Sequence, residues 1–215
     1  MTENKVKSFF DKYAVDFNSI YGGKNNFFNS LINNYLRKAM KLRFMKTIQG
    51  CHPLKDKKII DIGCGAGQYE IALAKKGAEH IYAIDFSKEM IDLAKKNVEK
   101  AGIEDKCRFD LVNFISDPVS GVFDYAIIMG FMDYVKDPKT VIKKVLSVTK
   151  SKVFFSFPVR GGILAWQRKL RYMPRCSLFF YDKKQILDLF KELDYKSLSI
   201  EKIGRDFFVT VICNG

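Results

Sequence analysis

One stretch constrains this chain more than any other. Asp61-Ile62-Gly63-Cys64-Gly65-Ala66-Gly67 reads D-x-G-x-G-x-G. It follows a short apolar run, Lys58–Ile62, and opens a helical run, Tyr69–Lys76. Glycines let the backbone take positive φ and approach a ligand closely. The first turn of the helix that follows offers N–H groups with no partner inside the helix. In open α/β sheets, such a turn at the carboxyl end of a strand is where ligands bind. A dinucleotide fingerprint, G-x-G-x-x-G, needs glycine three positions after Gly65, where this chain has Gln68. A P-loop needs G-K-[ST], which is also absent.

The texture around that turn decides the fold class. Apolar strand-length runs at His80–Ile84, Cys107–Leu111, Phe123–Met129 and Lys152–Phe157 alternate with helical patterns at Lys88–Lys100, Pro138–Val148 and Lys183–Leu193. Met90, Ile91, Ala94 and Val98 form one face of the first of these helices. Repeated βα units require a mostly parallel sheet with helices on both faces. Leu198–Ile203 and Asp206–Cys213 flank Gly204-Arg205 as a terminal hairpin, predicted to add an antiparallel edge strand. The expected fold is a doubly wound, Rossmann-like α/β domain over residues 51–215. Its sheet has seven strands, mostly parallel, with an antiparallel C-terminal strand.

Residues 1–50 read as a helical cap or lid. Val6, Phe9, Phe10, Tyr13 and Phe17 recur at helical spacing up to a break at Tyr21-Gly22-Gly23. A second helix is predicted over about Asn26 to Thr47, with Phe27, Leu31, Tyr35, Leu42 and Met45 as its buried stripe. At 215 residues the chain is long enough for one self-sufficient core. Its five cysteines, an odd number with no CxxC pair, do not describe a disulfide framework. Its two histidines, His52 and His80, have no metal-ligand spacing, so no metal site is expected. No apolar run has the length of a membrane span. The N-terminus lacks a signal-peptide pattern and reads as the start of a cytoplasmic chain.

The net charge of +13 is local. Leu36–Lys58 holds eight Lys or Arg against one acid, and Lys143–Arg175 holds nine against none. Such windows point to an anionic partner.

Three further segments narrow the chemistry. The second strand ends at Asp85-Phe86, 18 residues beyond Gly67, where a carboxylate can accept from both hydroxyls of a ribose. Ser87, rather than Asp85, fits the N-cap of the helix that follows. The third strand carries Asp110-Leu111, and the fourth ends Met129-Gly130-Phe131-Met132-Asp133-Tyr134. In this order and spacing the four segments resemble the class I S-adenosylmethionine-dependent methyltransferases, over about residues 56–157 and the terminal hairpin. The resemblance implies S-adenosylmethionine as cofactor. By that likeness Asp61, Gly63, Cys64, Gly65 and Gly67 meet its methionyl part. Asp85 holds the ribose, with Phe86 and Met90 beside the adenine. Asp110 and Leu111 flank the adenine edge, and Met129 and Gly130 line the pocket near the sulfonium.

Methyl transfer from a sulfonium needs alignment and exclusion of water more than acid–base help. A carboxylate acceptor needs no base, whereas an alcohol or phenol usually does. Many small-molecule members of the family carry His-His after the fourth strand. Asp133-Tyr134 stands there in this chain. The Asn/Asp-Pro-Pro-Tyr motif of amine-modifying nucleic-acid methylases is missing. Tyr13, Tyr21, Asp133 and Tyr134 are the candidates to orient or deprotonate an acceptor. Phe131, Arg160, Arg168 and Arg171 join the tyrosines as candidate substrate contacts, because Arg160, Arg168, Arg171 and Arg175 are four of only eight arginines and arginine suits carboxylate or phosphate. Ser8-Phe9-Phe10-Asp11 through Asn18-Ser19-Ile20-Tyr21-Gly22, with Ser156-Phe157-Pro158, further resembles magnesium-protoporphyrin O-methyltransferases and related small-molecule enzymes, some of which modify sugars. The reading that results is O- or N-methylation of a small anionic acceptor. RNA methylation on the basic surface is one alternative, although no appended RNA-binding module is present. A cofactor-binding regulator without turnover is the other.

Overall fold

The computed structural model describes residues 27–161 and 178–215, and in its first helix the side chains from Lys38 onward. The predictions for Val6 to Tyr21, for the Phe27, Leu31 and Tyr35 side chains, and for Arg168, Arg171 and Arg175 lie outside the described residues. What is described is a seven-stranded sheet in the order β3-β2-β1-β4-β5-β7-β6. The strands are β1 (Lys58–Ile62), β2 (His80–Asp85), β3 (Cys107–Leu111), β4 (Phe123–Ile128), β5 (Thr149–Pro158), β6 (Ser197–Ile203) and β7 (Asp206–Ile212). β1 to β5 pair in parallel, β7 pairs antiparallel to β5, and β6 pairs antiparallel to β7.

The central strands are buried on both faces, which is why they read as unbroken apolar runs. Ile59 and Ile127 point into one core, Ile60, Ala126 and Ile128 into the other. On the first face lie α1 (Phe27–Gly50), α2 (Gln68–Lys75) and α3 (Lys88–Lys100). On the second lie α4 (Pro138–Ser147) and α5 (Lys183–Phe190). Their starts are locally encoded. Ser87 accepts from the Met90 N–H at the head of α3, Asp137 caps α4 ahead of Pro138, and Asp182 and Gln185 form a capping box on α5. Helix α2 differs: its N-cap is Gly67, with no side-chain cap.

The terminal hairpin supplies the antiparallel C-terminal strand expected of it, and its order in the sheet is now visible. β7 is inserted between β5 and β6, and β6 is the edge. The reason is visible in burial: Phe207 to Val209 are covered, whereas β6 alternates exposed and half-buried residues, as an edge strand with one wet face does. One expectation changes, since the stripe on α1 is rotated. Leu42 and Met45 are exposed, and Thr47, Ile48 and Cys51 are buried. A polar contact sets the rotation. Arg43 Nη1 donates to Asp206 Oδ2 at 2.9 Å, tying α1 to the start of β7.

The end of α1 meets the sheet closely. A Cβ on Gly50 would stand 2.5 Å from the Phe154 ring. Lys152 Nζ donates to the Gly50 and His52 carbonyls at 3.0 and 3.4 Å and closes the helix end. Gly50→Ala is therefore expected to destabilise the fold by about 1–3 kcal/mol through overpacking, read by urea denaturation. Adding Phe154→Leu should recover part of that loss.

Candidate cofactor and active site

The glycine turn leaves β1 at the carboxyl edge of the sheet and is fastened from three directions. The N–H groups of Gly63 and Cys64 both donate to the Ile84 carbonyl of β2, at 2.8 and 3.1 Å. The Gly65 N–H donates to Asp85 Oδ2 at 3.0 Å. From α3, Asn97 Nδ2 donates to the Ala66 carbonyl at 2.9 Å. All three glycines have positive φ, from 55° to 80°, and each does something different. A Cβ on Gly67 would press on the Ala94 backbone at 3.3 Å, so this glycine lets α3 come close. A Cβ on Gly63 would meet the Phe131 ring at 3.0 Å. A Cβ on Gly65 would meet nothing within 4 Å. The Gly65 backbone therefore presents an open side.

Gly130, just past β4, matches it: φ is +70° and a Cβ there would also meet nothing. Its N–H is held by Ser156 Oγ of β5 at 2.8 Å. Strand order reverses between β1 and β4, so the two open backbones flank the switch-point crevice of the sheet. Asp85 stands at its rim, 7% exposed. Its second oxygen accepts from the Ser87 N–H at 2.9 Å. A carboxylate ordered by one N–H on each oxygen is an acceptor of fixed direction, which is what a vicinal diol needs. The backbone cradle at Gly65 and Gly130 and this acceptor fit an adenosyl cofactor.

The other predicted residues divide. Leu111 lies level with Asp85 in register and is half exposed. Phe86 is half-buried, and Met129 and Met90 are buried. Asp110 points to the other face of β3, the face that carries Tyr82, and its carboxylate binds Arg108 Nη2 at 2.6 Å. Phe131 packs over the turn at Gly63. Asp133 is buried in a single 3₁₀ turn, Met132–Tyr134, beside half-buried Tyr134. That turn is held by Tyr181, whose hydroxyl donates to the Met132 carbonyl at 3.3 Å, and by the Phe179 N–H on the Asp133 carbonyl at 2.8 Å. Arg160 is exposed, with Nη1 3.9 Å from Asp182 Oδ2. His52 and His80 are exposed at the opposite, amino edge of the sheet.

Sequence reading missed Glu70. It lies in the first turn of α2 and is fully buried, facing Asp61 of β1, which is 2% exposed. No donor among the described residues reaches Asp61 Oδ2 or either Glu70 oxygen. Burial pushes both carboxyls up: Asp61 is raised further by the neighbouring Glu70, whereas Glu70, raised to about 7, is held back by its hydrogen bond with Asp61. The signal was available: Glu70 sits three and four residues before Leu73 and Ala74, on the buried side of the helix.

Residues 53–159, about half of the chain, match the family described as a methyltransferase domain. Over this span the chain is a methyltransferase domain. It is 30% identical over 139 residues to a ubiquinone biosynthesis O-methyltransferase of Methylococcus capsulatus, covering 61% of this chain and 58% of that one. It is 28% identical over 181 residues to a magnesium-protoporphyrin O-methyltransferase of Rhodobacter capsulatus, covering 81% and 76%. The chain thus spans between about half and three quarters of these relatives. Its fold matches that of a magnesium protoporphyrin IX methyltransferase from Synechocystis PCC 6803 with bound S-adenosylhomocysteine. The TM-score is 0.80 at 17% identity, over 99% of this chain and 100% of that one. The methyltransferase's cofactor is S-adenosylmethionine. No helix among its described residues is long and apolar enough to cross a membrane.

The acid pair has a consequence for stability. The folded state holds these protons more tightly than the unfolded chain. Its contribution is therefore full below about pH 4.5, the ordinary carboxyl value, and is lost as pH rises through about 7. The loss is on the order of 3 kcal/mol. The double variant Asp61→Asn/Glu70→Gln should flatten that decline, so that it gains on the parent at pH 8 and not at pH 5 in thermal denaturation.

Proposed function

We propose that this methyltransferase transfers a methyl group from S-adenosylmethionine to a carboxylate oxygen of a small anionic acceptor. One observation carries the reading. Both histidines of the chain lie at the amino edge of the sheet, while the glycine turn and Asp85 lie at the carboxyl edge. An acceptor that needs an imidazole base is therefore poorly served here, and a carboxylate needs none. The names of the relatives, both O-methyltransferases, support transfer to oxygen.

When bound, the cofactor supplies an activated methyl group and a neutral leaving sulfide. The chain does the rest. Asp85 takes the ribose hydroxyls and fixes the rotation of the donor. The open backbones of Gly65 and Gly130 let the methionyl arm and the sulfur lie against the sheet edge. Phe131, folded over Gly63, excludes water from one side of the crevice. Tyr134 orients the acceptor, with Arg160, Arg168 and Arg171 as its counter-charges. The product is a methyl ester, and no proton has to move.

An RNA acceptor is less well supported. Many described cations of the basic windows have internal work. Lys57 binds Asp124, Lys46 binds Glu201, Arg43 binds Asp206, Lys144 donates to the Phe114 and Asp117 carbonyls, and Lys152 closes α1.

The test is turnover with a panel of carboxylate and phenol acceptors at saturating S-adenosylmethionine, with S-adenosylhomocysteine release as readout. Carboxylates should react and phenols should not. Tyr134→Phe should lower kcat less than about tenfold, because removing a general base typically costs 10²–10⁴-fold. A larger loss, or preferential reaction of phenols, contradicts the reading. Gly65→Val should abolish cofactor binding in calorimetry.

A further inference from the structure

The segment after β3 is wired more closely than a surface loop requires. The Val112 N–H donates to the Asp85 carbonyl at 2.9 Å and carries the β2–β3 ladder one step past the strand ends. Asp117 Oδ2 accepts from the Asn113 N–H at 2.8 Å. The Asn113 carbonyl accepts from the Ser116 and Asp117 N–H groups at 3.1 and 2.8 Å, and Asn113 Oδ1 from the Ile115 N–H at 3.1 Å. Among the described residues, the Phe114 N–H is the one between Val112 and Asp117 that finds no acceptor. Phe114 is 1% exposed, and a covered backbone N–H is rarely left unpaired in a folded protein.

The fastening comes from α4. Half-buried Lys144 donates from Nζ to the Phe114 and Asp117 carbonyls, both at 2.6 Å. The same ammonium lies 4.8 Å from the centroid of the Phe114 ring. An ammonium has donors for both carbonyls and is attracted to the face of an aromatic ring. One side chain of a neighbouring helix therefore holds both ends of the segment.

The layout of the crevice brings a ligand group to this place. Gly130 follows β4 and Asp85 ends β2, with β1 between them and β3 on the far side of β2. In an adenosyl sulfide the sulfur and the base leave the ribose from opposite sides. With the sulfur at Gly130 and the ribose at Asp85, the base reaches over the end of β3, one strand spacing of about 4.8 Å further on. Asp110, expected at the adenine edge from the sequence, is bound to Arg108 instead. What stands at the end of β3 is half-exposed Leu111 and the segment that Lys144 holds.

Given the cofactor seat proposed above, we infer that Lys144 is a positioning residue for the cofactor, holding residues 113–117 as the wall against which the base is read. Lys144 itself does not touch the ligand. By anchoring the Phe114 carbonyl it keeps the Phe114 N–H in one direction, as a donor for a ring nitrogen at the edge of the base. Adenine has an unprotonated N1 at that edge. Hypoxanthine carries a proton on N1, so the same donor would face a donor. Without the ammonium, two carbonyls lose their partner and the segment can open. The loss then falls on the base, and not on the ribose or the methionyl arm.

The experiment is calorimetric titration of the full chain with S-adenosylhomocysteine and with S-inosylhomocysteine, which differ only in the base, in the parent and in Lys144→Met. The parent should bind the adenosyl ligand at least about tenfold more tightly. Lys144→Met keeps the aliphatic stem and removes the donors. It should weaken the adenosyl ligand about tenfold, the size of one hydrogen bond to a charged group, and the inosyl ligand less than about twofold. A merely structural role would not move that ratio, because a loss of folded protein lowers the number of binding sites for both ligands alike. If Lys144→Met does not fold, Lys144→Gln gives the same reading. Equal weakening of both ligands overturns the inference, as does a variant that binds the adenosyl ligand like the parent. A parent without preference between the two ligands also overturns it. Each of these outcomes leaves the cofactor reading intact. If the parent binds neither ligand, that reading falls and this one with it.

Discussion

The link between the first two strands at their carboxyl ends governs the rest of this molecule. Ile84 gives one carbonyl to two N–H groups of the glycine turn, and Asp85 gives one oxygen to a third. Through these bonds the turn is suspended from β2 rather than left as a loop. The open side of Gly65, the head of α2 and the direction of the Asp85 carboxylate are all placed by that suspension. The residue proposed to take the ribose also holds the turn. Position and recognition are therefore one hydrogen-bond network, and neither can be altered alone.

The same network explains why the site can tolerate a buried acid pair. A turn fastened by Ile84, Asp85 and Asn97 keeps its shape without help from the side chains beneath it. The space below is then available for carboxyls that reduce stability above neutral pH. Functional sites commonly hold groups that a core optimised for stability would exclude.

Much of the architecture was legible because its signals are local. Strand and helix alternate with clear apolar periods from Lys58 to Phe190, and Ser87, Asp137 and Asp182 announce their helices. The glycine turn and Asp85 were legible because only a few arrangements need three glycines followed by an acid at the next strand end. What escaped has a common cause. The rotation of α1 is set by Arg43 reaching Asp206, a contact across 163 residues that no local period records. Glu70 was passed over because a glutamate in a helix reads as solvated, although its position relative to Leu73 marks it as buried. The hairpin was recognised, but its insertion order depends on which strand covers Phe155 and Phe157, a question of packing in three dimensions.

The crevice between β1 and β4, with Asp85 at its rim, is the proposed seat of the cofactor. A crystal structure with S-adenosylhomocysteine tests this most directly. Both ribose hydroxyls are expected on the Asp85 carboxylate, the methionyl arm along the Gly65 backbone, and the sulfur beside Gly130. A ligand whose ribose lies away from Asp85, or whose arm does not pass Gly65, would contradict it.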